Sequence, residues 1–415
     1  MTLNAIRKNS VKISNPYIML SSNELRDKPI ILGVKIDDLA MEKILARISD
    51  YLESKNQHKI FTPNPEICLE AEADENYRRI LNEADINIPD GVGLKLGAMI
   101  LGEKIENRVT GADLTAELLE LLDKKNKRAF VLLRADSLTK PLELKKYFKK
   151  NFPAIDFDCG TVEISDYLNC DAVLNRITEF SPDILFAALG APAQELWISR
   201  YLKVMPSVKI ALGVGGSFDF LTEKIKRAPE AVRELGFEWL YRLYQEPKRL
   251  KRIKSAVGDF LLMCHKWKKR IDTQMRENVV GVIKNKEGKY LLAFNPRFDH
   301  WQFPQGGVEA GESPESAVVR EVGEEVGANP LLFEVEKKIP EKHSYDSPRY
   351  AQLLKGFKGQ SQTAFVLKFS GTDEDIDFRD SDEVEKIVWL AKSDLVEKIH
   401  PMGREFAKKI VKYLD

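Results

Sequence analysis

The sequence predicts an α/β protein with two domains: a larger parallel-sheet domain, followed by a smaller domain of mixed strands and helices. Three observations lead to this prediction. The chain has 415 residues, which exceeds the length at which one hydrophobic core usually keeps growing. Short apolar runs alternate with amphipathic stretches up to about Ser217, as is typical of a parallel sheet. A different pattern of strand, tight turn and strand begins near Val279.

The composition is that of a soluble globular protein in a reducing compartment. Hydrophobic residues make up 43% and charged residues 31%, and 64 basic residues balance 64 acidic ones. The four cysteines are scattered without a CxxC pair, which argues against a disulfide framework and a zinc site. Residues 1–28 lack the pattern of a signal peptide, and no apolar run approaches a membrane span. We therefore expect a cytoplasmic protein.

The chain is predicted to divide into four segments. Residues 1–28, punctuated by Pro, Asn and Ser, are predicted to form an N-terminal extension. Residues 29–223 are predicted to form a Rossmann-like parallel-sheet domain. Residues 224–275 are predicted to be a basic helical appendage and linker, and residues 276–415 the second domain.

In the first domain, polar motifs follow the apolar runs that are predicted to be strands. The runs are IILGVKI, KIFTPN, DINIPD, RAFVLLR, IDFDCG, DILFAALG and VKIALGVGG. Parallel sheets bind ligands at the carboxyl ends of their strands, where loops and helix N-termini present backbone N–H groups. The motifs at these ends are TPN (62–64), PDG (89–91), RVTGADL (108–114), GAPAQE (190–195) and GVGGSFDF (213–220). Their side chains are the candidate site residues.

Two aspartates in these motifs, Asp90 and Asp219, are candidates for a general base. A carboxylate at a strand end can remove a proton from an acceptor hydroxyl when the two groups come within hydrogen-bond reach. Spacing alone does not choose between the two aspartates. The glycines of GVGGSFDF, Gly213, Gly215 and Gly216, are expected to permit close packing or backbone approach rather than to form a dinucleotide motif.

The segment after the parallel-sheet domain is strongly basic. From Lys224 to Arg270, 14 Lys and Arg residues accompany 5 Asp and Glu residues, interleaved with FEWLYRLY and FLLMCHKW. A basic, aromatic-bearing amphipathic helix can lie on an anionic membrane surface. The alternative is a solvated helical face followed by a linker.

The second domain contains a short helix that is rich in glutamate. Ser313 is a predicted N-cap, the helix runs from Pro314 to Val326, and Gly327 ends it. Three glutamates share one face of this helix: Glu321, Glu324 and Glu325. Carboxylates crowded in this way are tolerated when Mg²⁺ or Mn²⁺ lies between them. Because magnesium keeps water and substrate phosphates in its octahedron, the helix indicates phosphate chemistry.

The residues around this helix resemble the Nudix box of Nudix hydrolases. The spacing is G-x5-E-x7-R-E-V-x-E-E-x-G-A, through Gly306, Glu312, Arg320, Glu321, Val322, Glu324, Glu325, Gly327 and Ala328. The resemblance covers about Val279–Asp415 and implies an α/β/α sandwich that cleaves nucleoside diphosphates linked to another moiety. It also implies a metal-activated water that attacks phosphorus, with a carboxylate as base.

The Nudix resemblance implies roles for several of these glutamates. Glu321, Glu324 and Glu325 are expected to bind magnesium or manganese, and Glu324 and Glu325 are the candidate catalytic carboxylates. Glu383, six residues before Trp389, matches a later glutamate that often serves as a further metal ligand or base.

The flanking stretches WQFPQGG and KGFKGQSQTAFVLKF resemble bacterial RNA pyrophosphohydrolases and dinucleoside polyphosphate hydrolases. A nucleotide or an RNA 5′ end is therefore the expected substrate of this domain. Tyr345 and Arg349 are predicted to lie in a loop that could stack on or pair with a nucleotide. The alternative is that both are ordinary surface residues.

Six motifs of the first domain, in order, resemble the WecB/TagA/CpsF glycosyltransferases. They are TPN, IPDG, RVTGADL, LGAPAQE, GVGGSFDFLTEKIKRAPE and LGFEWLYRLYQEPKRLKR, and the resemblance runs from Ile30 to about Arg252. It implies inverting transfer of an N-acetylmannosamine-type sugar from a UDP donor to a polyprenyl-pyrophosphate-linked sugar. No cofactor or essential metal is expected for this domain.

The same resemblance assigns roles residue by residue. Asp90 is the expected general base, although a helix N-cap is the structural alternative. The donor and acceptor cleft is expected to be lined by Thr62, Asn64, Arg108 and Gln194. Appendage arginines are expected to meet the donor diphosphate or membrane phosphates: Arg227, Arg242, Arg249 and Arg252. In this context we expect peripheral attachment at the inner face of the cell membrane, and Asp219 is expected to be structural.

The sequence departs from the family pattern at two places. Arg134, Ala135 and Asp136 stand where family members commonly carry a glycine pair, and Ala193 replaces a basic residue often found before the Gln-Glu pair. Close backbone approach to the donor is then in doubt, so the sugar can differ from that of the family.

The sequence as a whole predicts a bifunctional enzyme of surface polysaccharide synthesis, and a homo-oligomer is compatible with it. Two alternatives stay open. In the first, the Nudix domain senses nucleotides without cleaving them. In the second, the protein is a scaffold on a lipid surface, and the basic segment carries the function.

Overall fold

The computed structural model describes residues 28–167, 169–229, 232, 241, 254–296, 299–379, 381 and 384–415. The chain divides into two compact units. The first comprises Met1–Lys268 with Leu353–Gly356, and the second comprises Lys269–Gln352 with Phe357–Asp415. Most of the predicted N-terminal extension and most of the stretch from 230 to 253 lie outside the described residues.

The first unit is built on a parallel sheet. Its elements are β1 Ile30–Ile31, β2 Val34–Lys35, α1 Met41–Glu53, β3 His58–Phe61, α2 Pro65–Ala73, α3 Glu75–Asn82, β4 Ile86–Asn87, α4 Val92–Leu101, α5 Gly111–Lys124, β5 Arg128–Arg134, α6 Pro141–Asn151, β6 Asp156–Val162, α7 Asp171–Phe180, β7 Ile184–Ala188, α8 Ala193–Tyr201, β8 Ile210–Gly213, α9 Ser217–Leu221 and α10 Phe260–Thr273. Among the described residues, six strands form one parallel sheet in the order β4-β3-β8-β7-β5-β6. The predicted parallel α/β domain is confirmed.

Continuous apolar runs form the strands because both faces of this sheet are covered. All five residues of β7 are buried, and so are the five central residues of β5. Helices α1 and α5 contribute Ile48 and Leu118 to the same core. This rigid core fixes the positions of the loops at the carboxyl ends of the strands.

The first predicted strand, IILGVKI, differs from the others. It folds into an antiparallel hairpin in which Ile31 pairs with Val34, outside the parallel sheet. The physical reason is the turn, since Leu32 has φ 49° and Gly33 has φ 82°. Two successive residues with positive φ reverse the chain tightly, and glycine adopts this conformation at little cost.

The second unit is an α/β/α sandwich. Its elements are β9 Met275–Lys284, β10 Tyr290–Asn295, β11 His300–Gln302, β12 Gln305–Gly307, α11 Pro314–Val326, β13 Phe333–Asp346, α12 Arg349–Lys355, β14 Gly359–Phe369, β15 Lys386–Leu390, α13 Leu395–Lys398 and α14 Arg404–Val411. Within the described residues, seven strands form a mixed sheet in which β11-β10-β9-β14-β13 are consecutive, β12 pairs with β9 and β15 with β10. Helix α11 packs on one face through Val318 and Val322, and α14 packs on the other through Phe406 and Ile410. The predicted sandwich is confirmed.

Helix α11 begins and ends where the sequence predicts. The Oγ atom of Ser313 accepts a hydrogen bond from Ser316 N at 3.1 Å, and Pro314 is the first helical residue. Gly327 follows the last turn in the left-handed conformation, with φ 67°.

In the part of the chain that the structure describes, no helix combines the length and apolar character needed to cross a membrane.

Candidate active sites

The carboxyl edge of the parallel sheet brings Asp90 and Thr62 together around Gly111. Asp90 follows β4 and Thr62 follows the neighbouring β3. A Cβ atom on Gly111 would lie 3.4 Å from Thr62 Oγ1 and 3.7 Å from Asp90 Oδ2. Asp90 N also donates to Pro63 O at 2.8 Å, which ties the two strand ends together.

The carboxylate of Asp90 lies at the N-terminus of α5. Gly111 N donates to Asp90 Oδ2 at 3.3 Å, and Gly111 is the first residue of this 14-residue helix. The positive end of the helix dipole favours a negative charge at this position. Helix α4, which follows Asp90 directly, has Gly91 as its N-cap and no side-chain cap. Asp90 is therefore not the N-cap of α4, and its carboxylate instead accepts the first N–H of α5.

Asp219 has a different environment. Its Oδ1 atom accepts hydrogen bonds from Thr139 N at 3.0 Å and from Thr139 Oγ1 at 2.7 Å. These bonds tie α9 to the loop between β5 and α6. The structural role expected for Asp219 agrees with this geometry, and Asp90 is the aspartate that stands beside Thr62.

The side-chain oxygens of Asn64 and Gln194 accept hydrogen bonds from the protein backbone. Asn64 is the N-cap of α2, and its Oδ1 atom accepts from Ile67 N at 3.0 Å. Gln194 is 3% exposed, and its Oε1 atom accepts from Gly190 N and Gly215 N. Gly213 allows this packing, because a Cβ there would lie 2.8 Å from Gln194 Nε2. The close packing expected at Gly213 is confirmed.

Arg227 stands at the N-terminus of α5, near the Asp90 carboxylate. Its Nη1 atom lies 2.7 Å from Asp113 Oδ1, and its Nη2 atom donates to Thr110 Oγ1 at 3.0 Å. Thr110 in turn donates to Asp113 Oδ2 at 2.6 Å. Arg108, two residues earlier, is half-buried. The other predicted appendage arginines, Arg242, Arg249 and Arg252, lie outside the described residues.

In the second unit, Arg320 holds three glutamates of the box. Its guanidinium donates to both oxygens of Glu312, at 3.0 and 2.9 Å, and to Gly307 O at 3.1 Å. Arg320 Nη1 also donates to Glu321 Oε1 at 3.0 Å and to Glu324 Oε2 at 3.2 Å. The hydrogen bond from Arg320 lowers the pKa of the Glu312 carboxyl, and Glu312 raises the pKa of the Arg320 guanidinium.

Two carboxylates of the box are held close to strand β12. Glu325 is buried, and its Oε2 atom accepts a hydrogen bond from Gln305 N at 3.2 Å. Glu321 lies directly over Gly306, where a Cβ would be 1.9 Å from the carboxyl carbon of Glu321. The glycine at 306 therefore makes room for the carboxylate, which explains its place in the box.

The donor chemistry of this cluster fits a hard divalent cation. Glu312, Glu321, Glu324 and Glu325 supply four carboxylates against the single guanidinium of Arg320. Carboxylate oxygens are the ligands that magnesium and manganese prefer. Within the described residues, no three His, Cys, Asp or Glu side chains are arranged to hold a metal ion. The further predicted ligand, Glu383, lies outside the described residues.

The predicted loop with Tyr345 and Arg349 is wrong. Tyr345 lies in β13, where it pairs with Gln360 of β14, and its hydroxyl donates to Gln360 Oε1 at 2.8 Å. Arg349 begins α12. The strand extends this far because β14 offers an unbroken partner from Gly359 onward. Tyr345 is 41% exposed.

Family comparisons agree with this two-part architecture. A model of the glycosyl transferase WecG/TagA/CpsF family matches residues 29–275, more than half of the chain. The chain belongs to this family. A model of the NUDIX domain matches residues 275–414. Both resemblances predicted from the motifs are confirmed, so a WecG/TagA/CpsF glycosyltransferase and a Nudix domain share one chain.

Curated relatives match the glycosyltransferase part. An N-acetylglucosaminyldiphosphoundecaprenol N-acetyl-beta-D-mannosaminyltransferase of Bacillus spizizenii is 35% identical over 208 residues, 49% of this chain and 78% of the relative. The enzyme of the same name from Staphylococcus aureus is 30% identical over 246 residues, 58% of this chain and 93% of the relative. Among solved structures, a C. elegans Ap4A hydrolase binary complex covers 34% of this chain and 97% of its own, with 22% identity and a TM-score of 0.28.

One departure from the WecG/TagA/CpsF pattern has a structural counterpart. At the end of β5, the guanidinium of Arg134 donates to both oxygens of Asp136, with Nε to Oδ1 at 2.8 Å and Nη2 to Oδ2 at 2.7 Å. This pair lowers the pKa of the Asp136 carboxyl. A glycine pair would carry no side chains here, whereas this glycosyltransferase has an exposed ion pair between Arg134 and Asp136.

Sequence reasoning missed the contact between Tyr77 and Glu195, although Glu195 is the last residue of the GAPAQE motif. Glu195 is fully buried beside Gln194, and Tyr77 donates its hydroxyl hydrogen to Glu195 Oε2 at 3.1 Å. A glutamate in an apolar stretch after GAPAQ was a signal for Glu195. No pattern in the sequence links it to Tyr77, 118 positions away.

We expect Gly306→Ala to lower Nudix hydrolysis by about tenfold or more, because the added methyl group displaces the Glu321 carboxylate. The measurement is kcat together with thermal unfolding.

Gly288→Ala is the control, since nothing lies within 4 Å of its Cβ position. Its φ of 78° strains an alanine, so it should lower stability and leave kcat unchanged. A wild-type kcat for Gly306→Ala would contradict the placement of Glu321.

Proposed function

We propose that the first unit transfers an N-acetylmannosamine-type sugar from a UDP donor to a sugar on polyprenyl pyrophosphate, with inversion. The observation that carries this proposal is the meeting of Asp90 and Thr62 at the N-terminus of α5. The activities for which the curated relatives are named support the donor sugar and the lipid-linked acceptor. Such a reaction belongs to the synthesis of a surface polysaccharide.

In this reaction Asp90 acts as the general base. Its carboxylate takes the proton of the acceptor hydroxyl, and the hydroxyl oxygen attacks the anomeric carbon of the donor. The bond from that carbon to the UDP oxygen breaks, and UDP leaves with the electron pair. Attack opposite the leaving group inverts the configuration. Thr62 and Asn64 are the proposed cleft residues beside Asp90, and Gln194 holds the loops that close the cleft.

The leaving diphosphate needs positive charge. Arg108 and Arg227 are the proposed partners in the described part of the chain, and Arg242, Arg249 and Arg252 are proposed from the family pattern. Arginine forms two parallel hydrogen bonds with phosphate oxygens. Because Arg227 already pairs with Asp113 at 2.7 Å, a diphosphate there has to compete with this carboxylate.

We propose peripheral attachment to an anionic membrane surface through the basic segment. Within the described part of this segment, helix α10 exposes Leu262 to 55% together with the cationic Lys266. An apolar side chain beside lysines suits the interface of anionic lipids. Attachment at the inner face of the membrane would place the site where both the UDP donor and the lipid-linked acceptor are reached.

For the second unit we propose hydrolysis of a nucleoside diphosphate-linked substrate, with magnesium or manganese as cofactor. Glu321, Glu324 and Glu325 would hold the cation, with Glu383 as a further ligand. The bound cation supplies activation of water and charge neutralisation at the phosphates. The backbone N–H of Gln305 orients the buried carboxylate of Glu325, and Arg320 orients Glu321 and Glu324. Glu324 is 63% exposed on its side chain, which suits a base that meets solvent water.

The test uses the intact protein with magnesium and three groups of substrates: UDP-sugars with a polyprenyl-pyrophosphate-linked N-acetylglucosamine, diadenosine polyphosphates, and 5′-triphosphorylated RNA. Mass spectrometry identifies the products. We expect an acceptor that gains one N-acetylhexosamine, and cleavage of at least one nucleotide substrate. No gain of mass on the acceptor with any UDP-sugar would refute the proposed transfer. Cleavage of a UDP-sugar would connect the two units in one pathway.

A further inference from the structure

The carboxamide of Gln194 links two loops at the carboxyl edge of the parallel sheet. Its Oε1 atom accepts hydrogen bonds from Gly190 N at 3.1 Å and from Gly215 N at 2.9 Å. Gly190 follows β7 and Gly215 follows β8, the strand next to β3. Since both partners are N–H donors, the oxygen end of the carboxamide has to face them, and the NH2 group faces the other way.

The NH2 group of Gln194 continues a buried chain of hydrogen bonds. Gln194 Nε2 donates to Glu195 Oε1 at 2.8 Å, and Tyr77 Oη donates to Glu195 Oε2 at 3.1 Å. Glu195 is fully buried, Tyr77 is 1% exposed and Gln194 is 3% exposed. Each side-chain oxygen and nitrogen atom of these three residues has a hydrogen-bond partner, and buried networks that are satisfied in this way are rigid. Burial raises the pKa of Glu195, and the bonds from Gln194 and Tyr77 oppose this effect.

The hydrogen-bond network is connected to Thr62 through Gly213. The side chain of Gln194 covers this glycine, where a Cβ would lie 2.8 Å from Nε2. Thr62 Oγ1 donates to Gly213 O at 3.5 Å on the neighbouring strand. At Gly213, the end of β8, the network is therefore one strand away from Thr62 and two strands away from Asp90, at the edge where parallel sheets bind ligands.

The two loops that Gln194 holds present bare backbone. Gly190 has φ 78° and Gly215 has φ 51°, and no atom lies within 4 Å of either Cβ position. Gly91, beside Asp90, also has a positive φ, 93°, and no atom lies within 4 Å of its Cβ position. Glycine loops are flexible unless other groups fix them, and open space above the backbone permits close approach of a ligand. The side-chain oxygen of Gln194 fixes two of these three glycines, Gly190 and Gly215.

We propose that Tyr77, Glu195 and Gln194 are positioning residues that hold the Gly190 and Gly215 loops in the conformation that binds the sugar-nucleotide donor. The role of the loops rests on the proposed glycosyl transfer. The network itself is independent of that reaction.

A charge-preserving exchange of residues 194 and 195 tests this assignment. In Gln194→Glu, one carboxylate oxygen still accepts from Gly190 and Gly215, but the other oxygen faces Glu195. The two buried carboxyl groups bond only while they share a proton, and they repel each other at alkaline pH once both are ionised. In the double variant Gln194→Glu/Glu195→Gln, the NH2 group of residue 195 donates to residue 194, and its oxygen accepts from Tyr77. The double variant therefore restores each bond with the same composition as the wild type.

Two readouts are measured on the full chain: KM and kcat with a UDP-N-acetylhexosamine donor, and amide hydrogen exchange of peptides that contain Gly190 or Gly215. At alkaline pH, where both carboxylates are ionised, we expect the single variant to raise KM for the donor by about tenfold or more relative to the wild type and to speed exchange in both loops by a similar factor. The double variant should return both values to within about threefold of the wild type, because its hydrogen bonds are complete.

The proposal is overturned when the single variant keeps wild-type KM and wild-type exchange, or when the single and double variants are equally impaired. A wild-type protein that transfers sugar from no donor would refute the proposed function instead. In that case the exchange data alone decide on the network, since protection lost in the single variant and regained in the double variant requires no substrate. Exchange of core peptides around Ile60 reports any general unfolding.

Discussion

Asp90→Asn is expected to lower kcat for sugar transfer by about 10²–10⁴-fold, the range that a general base contributes. Asparagine keeps the shape of the side chain, and its oxygen can still accept the N–H of Gly111 that now bonds to Asp90 Oδ2. It cannot take a proton from the acceptor hydroxyl. Because substrate contacts are kept, KM for the donor should stay near the wild-type value. The measurement is steady-state release of UDP with saturating acceptor.

Asp156→Asn is the matched control for this prediction. Asp156 begins β6 and is therefore at the opposite edge of the parallel sheet, with a side chain that is 61% exposed. Its ion pair with Arg128 lies on the surface, where such pairs contribute little to stability. Transfer should be unchanged in this variant. An Asp90→Asn protein that retains more than about a tenth of wild-type kcat would exclude Asp90 as the base.

Glu324→Gln is expected to lower nucleotide hydrolysis by about 10²-fold or more, since the substitution removes a charged oxygen donor and a candidate base together. The free energy of unfolding should change by less than about 0.5 kcal/mol, because the side chain is 63% exposed. Hydrolysis is measured at saturating magnesium by mass spectrometry of the nucleotide products.

Glu315→Gln provides the control on the same helix. Glu315 lies in the first turn of α11, is 51% exposed, and pairs with Lys338 at 3.7 Å, away from Arg320. It carries the same change of charge without touching the cluster, so hydrolysis should continue at the wild-type rate. Unchanged turnover in Glu324→Gln would mean that the site assignment on this helix is wrong. Equal loss in both variants would indicate a damaged helix.

Local patterns in the sequence predicted the helix of the second unit in detail. The N-cap Ser313, the first-turn Pro314 and the C-terminal Gly327 act over a few residues, so their effect can be read without the fold. The parallel sheet was predictable for a related reason. Strands covered on both faces require continuous apolar runs, and β7 is such a run.

Contacts between distant residues were not predictable in this way. The hydrogen bond from Tyr77 to Glu195 joins residues 118 positions apart, and no local sequence pattern at either residue predicts the contact. Spacing alone also left Asp90 and Asp219 as equal candidates, and only the family resemblance favoured Asp90. Their environments separate them, since Asp219 bonds to Thr139 whereas Asp90 meets Gly111 and Thr62. Which carboxylate faces the site depends on strand order, and strand order is a property of the whole sheet.

One chain is expected to carry two separable chemistries. The most direct measurement incubates wild type, Asp90→Asn and Glu324→Gln with magnesium, the UDP donor, the lipid-linked acceptor and the nucleotide that the second unit cleaves. Both products are then quantified by mass spectrometry in the same sample. We expect that Asp90→Asn fails to form only the glycosylated lipid and that Glu324→Gln fails to form only the hydrolysis product. A single substitution that abolishes both products, or hydrolysis that is absent from the wild type, would contradict this expectation.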